Sequence, residues 1–153
     1  MSLNEIQDQL VSDLNQQIAS GTIKIHKSGD KWFKHIRRIF PVRSSGIIWE
    51  EVYGCHSMDC SERLHTFADL KDTAIEFLKE FIFVAGLEAG QAYIAIGDDV
   101  TDVAFEMPAS ELLDKIGLFI EIPQGTYILP VDTSWCFAYT FPDVMYFGKS
   151  SNF

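Results

Sequence analysis

The chain has 153 residues, a formal net charge of −10, and hydrophobic and aromatic contents of 47% and 13%. This composition excludes a disordered chain and predicts one globular domain over residues 1–153. The acidic charge disfavours direct binding of nucleic acid, which depends on Lys and Arg, and favours a basic protein partner. No run approaches the roughly 18 apolar residues that span a bilayer. Because the start also lacks a signal-peptide pattern, we expect a cytoplasmic protein with no membrane partner.

The N-terminal third predicts a helix followed by strands. Apolar residues at spacings of three and four predict an amphipathic helix over residues 3–18 that ends at Gly21. Residues 22–26 alternate like a short strand, whereas residues 32–40 fit a helix or a strand. Residues 46–53 are rich in β-branched and aromatic side chains, so we predict a strand that starts the main sheet.

The middle of the chain predicts a central helix and a hairpin. The capping-box pattern of residues 66–69 opens a helical apolar stripe that runs to Gly86. Residues 91–96 and 102–107 then read as two strands, joined by the turn-forming tripeptide Gly97-Asp98-Asp99.

The last 46 residues predict a short helix and a β-meander. Pro108 suits the first position of a helix through Ile116. Residues 126–131, 134–141 and 144–147 are aromatic-rich strands, and Pro130 predicts that the first of them is an edge strand. The fold class is therefore α+β, with a mainly antiparallel sheet on which an N-terminal amphipathic helix and a central helix pack.

The cysteines and histidines offer no convincing catalytic or metal site. Cys55, His56, Cys60 and His65 are four zinc-ligand types close together, but adjacent Cys55 and His56 suit one tetrahedral site poorly. A loop with buried thiols and surface imidazoles is the favoured interpretation. Cys136 lies in a predicted strand and is expected to pack as a small hydrophobe. We predict no catalytic residue, no metal and no cofactor, and an enzyme is the less favoured class.

The distribution of charge is the main functional signal. Residues 1–43 hold seven bases and four acids, whereas residues 44–153 hold five bases and eighteen acids. From Glu80 to Asp114 there are eight acids and no Lys or Arg. This run fits either a solvated face or a docking surface for a basic protein. The acids that we predict to contact such a partner are Asp98, Asp99, Asp102, Glu106, Glu111 and Asp114.

Other parts of the sequence qualify this interpretation. Asp98, Asp99 and Asp102 could bind Mg²⁺ or Ca²⁺, although a solvated turn is favoured. Aromatic anchors beside the acids would favour docking, and the candidates are Tyr93, Phe105, Tyr139, Tyr146 and Phe147. The bases between Lys24 and Arg43 could neutralise the acidic surface within the chain or join two copies in a homodimer.

Two classes of function follow, one of which rests on a resemblance. The aromatic-rich segment from Tyr127 to Cys136, leading to Met145-Tyr146-Phe147-Gly148, resembles bacterial immunity proteins of polymorphic and contact-dependent toxin systems. The resemblance covers mainly residues 90–150 and is one of general style. It implies a cytoplasmic inhibitor that binds a cognate toxin domain, often a basic nuclease, and carries over no individual binding residue. The alternative is a small-molecule-binding domain or enzyme with a pocket lined by Trp32, Trp49 and Trp135.

Overall fold

The computed structural model describes residues 3–43, 46–52, 54–60, 67–85, 92–97, 103–122, 125–132, 134–140 and 144–149. Within these residues the α-helices are α1 (Leu3–Asp13), α2 (Asn15–Ser20), α3 (Asp30–Ile39), α4 (Phe67–Ala85) and α5 (Ala109–Ile120). The strands are β1 (Lys24–His26), β2 (Val42–Arg43), β3 (Gly46–Ile47), β4 (His56–Asp59), β5 (Ala92–Gly97), β6 (Ala104–Pro108), β7 (Gly125–Pro130), β8 (Trp135–Thr140) and β9 (Val144–Lys149). None of the described helices is long and apolar enough to cross a membrane.

A seven-stranded sheet organises the fold. Its strand order is β1-β6-β5-β7-β8-β9-β4, and every neighbouring pair is antiparallel. Strands β2 and β3 form a separate two-stranded sheet. The predicted α+β class, the antiparallel β5–β6 pair and the C-terminal meander β7-β8-β9 are confirmed. The turn predicted at residues 97–99 lies mostly outside the described residues.

The central strands are buried on both faces. Alternate residues of β5 point to opposite sides, so that Tyr93 and Ala95 join one core cluster while Ile94 and Ile96 join the other. Strands β7 and β8 are equally buried, from Gly125 to Pro130 and from Trp135 to Tyr139. Because each fully buried apolar side chain contributes about 1.5–3 kcal/mol, this sheet needs a cover on each side.

Two different covers meet this need. Helices α1, α2, α4 and α5, which we call the helical layer, pack on one face, where Leu14, Leu78 and Ile116 are fully buried. Helix α3 covers part of the other face through Trp32 and Ile36. The ambiguous segment 32–40 is thus mainly helical, since its buried residues recur every four positions.

The predicted N-terminal helix is interrupted. Leu14 separates α1 from α2 with φ −102° and ψ 9°, and Gly21 closes α2 in the left-handed conformation at φ +82°. The predicted apolar face is continuous across this interruption, because Leu10 and Leu14 are buried and Ile6 and Ile18 pack against the same core. The predicted central helix is confirmed as α4, while its proposed cap, Thr66, lies outside the described residues.

The strand predicted at residues 46–53 is wrong. Among the described residues 46–52, only Gly46–Ile47 is a strand, and it pairs with β2 instead of the main sheet. Trp49–Glu51 forms one turn of 3-10 helix. Trp49 and Val52 are both buried. A 3-10 turn places residues three apart on the same side, which lets both side chains reach the core despite strand-like composition.

Two predictions about the sheet edges are also wrong. Strand β7 is interior, lying between β5 and β8, although it contains Pro130. Pro130 is its last residue, where the missing N–H costs little of the ladder, and Val131 N–H restores pairing by donating to the Ala92 carbonyl. Residues 56–59 were predicted as part of a loop but form β4, which is an edge strand of the main sheet. Its short, mostly polar sequence suits an edge that faces solvent.

Gly148 provides a direct test of how the 3-10 turn packs on β9. It lies opposite Cys136 in the β8–β9 register. A Cβ added at Gly148 would lie 2.5 Å from Val52 Cγ1 and 3.3 Å from Trp49 Cζ3. Glycine is therefore required here by close approach of the turn.

We expect Gly148→Ala to lower the free energy of unfolding by about 1–3 kcal/mol, because the new methyl group overpacks this contact. Val52→Ala removes the clashing atom, so the double variant should be less destabilised than the sum of the single variants. Urea denaturation of the four proteins in this double-mutant cycle measures the coupling, expected to be on the order of 1 kcal/mol. Strict additivity would contradict the packing.

Candidate functional site

The helical layer carries most of the described acids. Helices α1, α4 and α5, with the residue after α5, contain ten acids and three bases. The acids are Glu5, Asp8, Asp13, Asp69, Asp72, Glu76, Glu80, Glu111, Asp114 and Glu121, and the bases are Lys71, Lys79 and Lys115. All of these acids except half-buried Glu111 are exposed. The apolar faces of the three helices cover the sheet, so these carboxylates form the outer surface of the layer.

The opposite face has a basic helix. Helix α3 exposes Lys31, Lys34, Arg37 and Arg38 against one acid, Asp30. Within the described ranges none of these four bases forms an ion pair, and Lys31 instead lies 5.0 Å from the Trp32 ring centroid. The outer faces stand on the order of 20 Å apart, since packed layers are separated by about 10 Å. That exceeds the physiological screening length of about 8 Å, so the bases of α3 do not neutralise the acids of the helical layer.

The predicted acid run does not form one continuous face in the described structure. Asp98, Asp99 and Asp102 lie outside the described residues. Glu106 lies in β6 on the α3 side of the sheet, because its neighbours Phe105 and Met107 point into the core under the helical layer. The run therefore divides between both faces of the sheet.

Glu111 and Asp114 are the two predicted residues that the structure places on α5. Asp114 is exposed and its Oδ2 lies 3.2 Å from Lys115 Nζ, which offsets its charge locally. Glu111 is half-buried, and its Oε2 has no hydrogen-bond partner within the described part of the chain. Of these two carboxylates, only that of Asp114 is exposed at the outer surface, and it is paired with Lys115.

Glu106 belongs to a histidine–tryptophan cluster. Its Oε1 lies 2.9 Å from His26 Nε2, and the His26 ring packs edge-on against Trp32 at 5.8 Å. Trp32 also contacts His35, with the ring centroids 5.7 Å apart. A carboxylate can orient a histidine for acid–base catalysis, but among the described residues no Ser, Thr or Cys side chain contacts His26. The cluster ties β1, β6 and α3 together.

An acid-rimmed groove lies between α1 and the C-terminal end of α5. It has a volume of about 410 Å³ and an apolar lining of Ile6, Leu10, Leu118 and Ile122. Its polar lining consists of Gln9, Asp13 and Glu121. None of the described residues that line it is Lys, Arg or His, so a cation would meet carboxylates above an apolar floor.

Hydrogen bonds fix both walls of this groove. On α1, Gln9 Nε2 donates to Asp13 Oδ1 at 2.9 Å, which holds the carboxylate along the helix. On the other wall, the hydroxyl of buried Thr126 donates to the Phe119 carbonyl and fastens the end of α5 to β7. Glu121 is the residue that directly follows α5.

The acids of this groove were not among the predicted site residues. A signal was present, because residues 1–23 contain three acids and no Lys or Arg. The seven bases that begin at Lys24 offset these acids, so that residues 1–43 taken together have a net positive charge. The pairing of α1 with the end of α5 joins residues more than 100 positions apart and has no local signature.

The predicted aromatic anchors and the tryptophan-lined pocket do not match the structure. Tyr93, Phe105, Tyr139 and Phe147 are buried, and half-buried Tyr146 stacks on Trp49. Trp32 and Trp49 belong to the core on the α3 side, whereas Trp135 belongs to the core under the helical layer. The three tryptophans therefore cannot line one pocket, and no exposed aromatic anchor stands beside the acids in the described residues.

The cysteines are poorly suited to nucleophilic catalysis. Cys60 and Cys136 are buried, and burial raises the pKa of the Cys136 thiol far above its usual range. The pKa of half-buried Cys55 is also raised, first by partial burial and then by the charge of Glu50. A raised pKa lowers the thiolate fraction at neutral pH. Within the described ranges no group of three or more metal-ligating side chains is found, and His65 lies outside them.

No protein-family model matches the chain, and no curated protein matches it.

Thiol labelling tests the environment of the cysteines. We expect iodoacetamide at neutral pH to label Cys55 first, more slowly than free cysteine, with the rate rising with pH as more thiolate forms. Glu50→Gln removes a negative charge that raises the Cys55 pKa, so it should accelerate labelling. Glu51→Gln is the matched control, and peptide mass spectrometry identifies each modified site. Fast labelling of Cys136 in the native protein would contradict its burial.

Proposed function

We propose that this protein is a non-enzymatic binding protein of the immunity type, acting in the cytoplasm, which neutralises a basic toxin domain through its helical layer. The observation that carries the proposal is the separation of charge across the sheet. Ten acids and three bases lie on the helical layer, and the exposed bases of α3 lie on the other face.

Charge separation of this kind favours recognition of a basic protein. A surface of one sign speeds encounter with a partner of the opposite sign and selects against acidic proteins. A nuclease domain presents bases to the phosphates of its substrate, so an acidic cover on those bases would block substrate access. The resemblance of the C-terminal meander to immunity proteins supports the same class of function.

The test is capture of a basic partner that the chain also inhibits. The wild-type chain, used as bait in lysate of its native host, should retain a protein with a strongly basic domain at low salt and release it as salt rises. Co-expression of the bait should then relieve the growth arrest caused by that protein. Recovery of no basic protein, or of one whose toxicity the bait leaves unchanged, would contradict the proposal.

Charge-reversed baits show which face is used. A variant carrying Asp13→Lys, Asp72→Lys, Glu76→Lys and Glu121→Lys inverts exposed charges on α1, on α4 and directly after α5, and should lose at least about tenfold in affinity. The matched control reverses the other face with Lys34→Glu and Arg37→Glu and should bind as tightly as the wild type. Thermal melts of both variants exclude misfolding as the cause.

A further inference from the structure

We infer that the groove between α1 and α5 holds an arginine side chain of the basic partner, an inference that rests on the proposed function. Elsewhere on the helical layer the acids are interspersed with Lys71, Lys79 and Lys115. The groove differs because it combines two carboxylates with an apolar floor in one concavity of about 410 Å³. A long basic side chain has the matching composition, a methylene stem that ends in a cation.

The two carboxylates approach the groove from opposite walls. Asp13 stands at the end of α1 and Glu121 directly after α5, and both are exposed. No base competes for either one within the described residues, since Asp13 accepts a hydrogen bond from Gln9 and Glu121 forms no ion pair. A cation that enters the groove therefore meets two acceptors that no ion pair occupies.

The apolar floor and the two walls favour arginine over lysine. Ile6 and Leu118 are half-buried, and Leu10 and Ile122 are buried beneath them, so the floor can receive apolar surface but no charge. The guanidinium group is planar, carries five N–H donors and is less strongly hydrated than an ammonium group. It can donate to carboxylates on two sides at once while its stem covers the floor, whereas lysine presents a single compact charge.

The probes are short peptides titrated into the full-length protein. We would use acetylated, amidated Leu-Arg-Ala-Leu, the same peptide with lysine in place of arginine, and the same peptide with citrulline, which keeps the shape of arginine without its charge. The arginine peptide should shift the backbone amide signals of Gln9, Leu118 and Ile122 in NMR spectra at millimolar concentration. The lysine peptide should bind more weakly and the citrulline peptide most weakly.

Paired variants separate a site from diffuse attraction. Asp13→Asn with Glu121→Gln should raise the Kd of the arginine peptide about tenfold, as expected for the loss of two exposed ion pairs. Asp72→Asn with Glu76→Gln removes the same charge from the outer face of α4 and should change the Kd by about twofold or less. All of these residues are exposed.

Several outcomes would overturn the inference. The first is that the arginine peptide shifts no amide signal at millimolar concentration, or shifts signals over the whole helical layer. The second is that both variant pairs raise the Kd of the arginine peptide equally. The third is that the citrulline or the lysine peptide binds as tightly as the arginine peptide. If the chain captures and inhibits a basic toxin but the arginine peptide does not bind in the groove, this inference is rejected and the proposed function stands. If the arginine peptide binds in the groove but no basic protein is captured, the proposed function is rejected and the groove remains an arginine-binding site.

Discussion

The rest of the structure depends on burying both faces of the three central strands. Strands β5, β7 and β8 expose almost no side chain to water, and their alternate residues supply two separate cores. One layer of helices can cover only one face of such a sheet. Helix α3 and the 3-10 turn, although short, are therefore as necessary to the fold as the longer helices. The close contact of Val52 with Gly148 shows how tightly this second cover is fitted.

This two-sided cover also separates the charges. The acidic helices α1, α4 and α5 belong to one cover and the basic helix α3 to the other, with the sheet between them. At physiological ionic strength charges on opposite covers are screened from each other, because their separation exceeds the screening length. The net charge of −10 thus understates the polarity of the molecule. Within the described residues, one face carries mostly carboxylates, while the other presents bases that form no ion pairs.

The groove between α1 and α5 places an apolar lining beside two exposed carboxylates, and none of the described residues that line it is aromatic. Helices α1 and α5 meet at their C-terminal ends, where each helix carries an acid at or just beyond its last turn. The side chains that seal the core between these ends, Leu10 and Ile122, also form the floor. The same two side chains therefore seal the core on one side and line the groove on the other.

Local sequence patterns determined the class of the fold and most of its elements. The apolar spacing of α1 and α4, the proline that precedes α5, and the apolar and aromatic composition of β5 to β9 are local features, which neighbouring residues are enough to reveal. The acidity of the chain was equally evident. The structure of residues 46–52 was not, because Trp49–Glu51 form a 3-10 turn that packs, together with Val52, against β9, and their strand propensity yields to that contact.

Tertiary structure alone decided the strand order, the positions of β1 and β4 at the edges, and the face to which each charge belongs. Glu106 and Asp114 are eight residues apart in the sequence, yet the first faces α3 and the second the outside of α5. Conversely, Asp13 and Glu121 are far apart along the chain and share one groove. Which distant residues become neighbours depends on how the helices pack to bury the whole sheet. A run of like charges in the sequence could therefore indicate that an acidic surface exists but could not locate it.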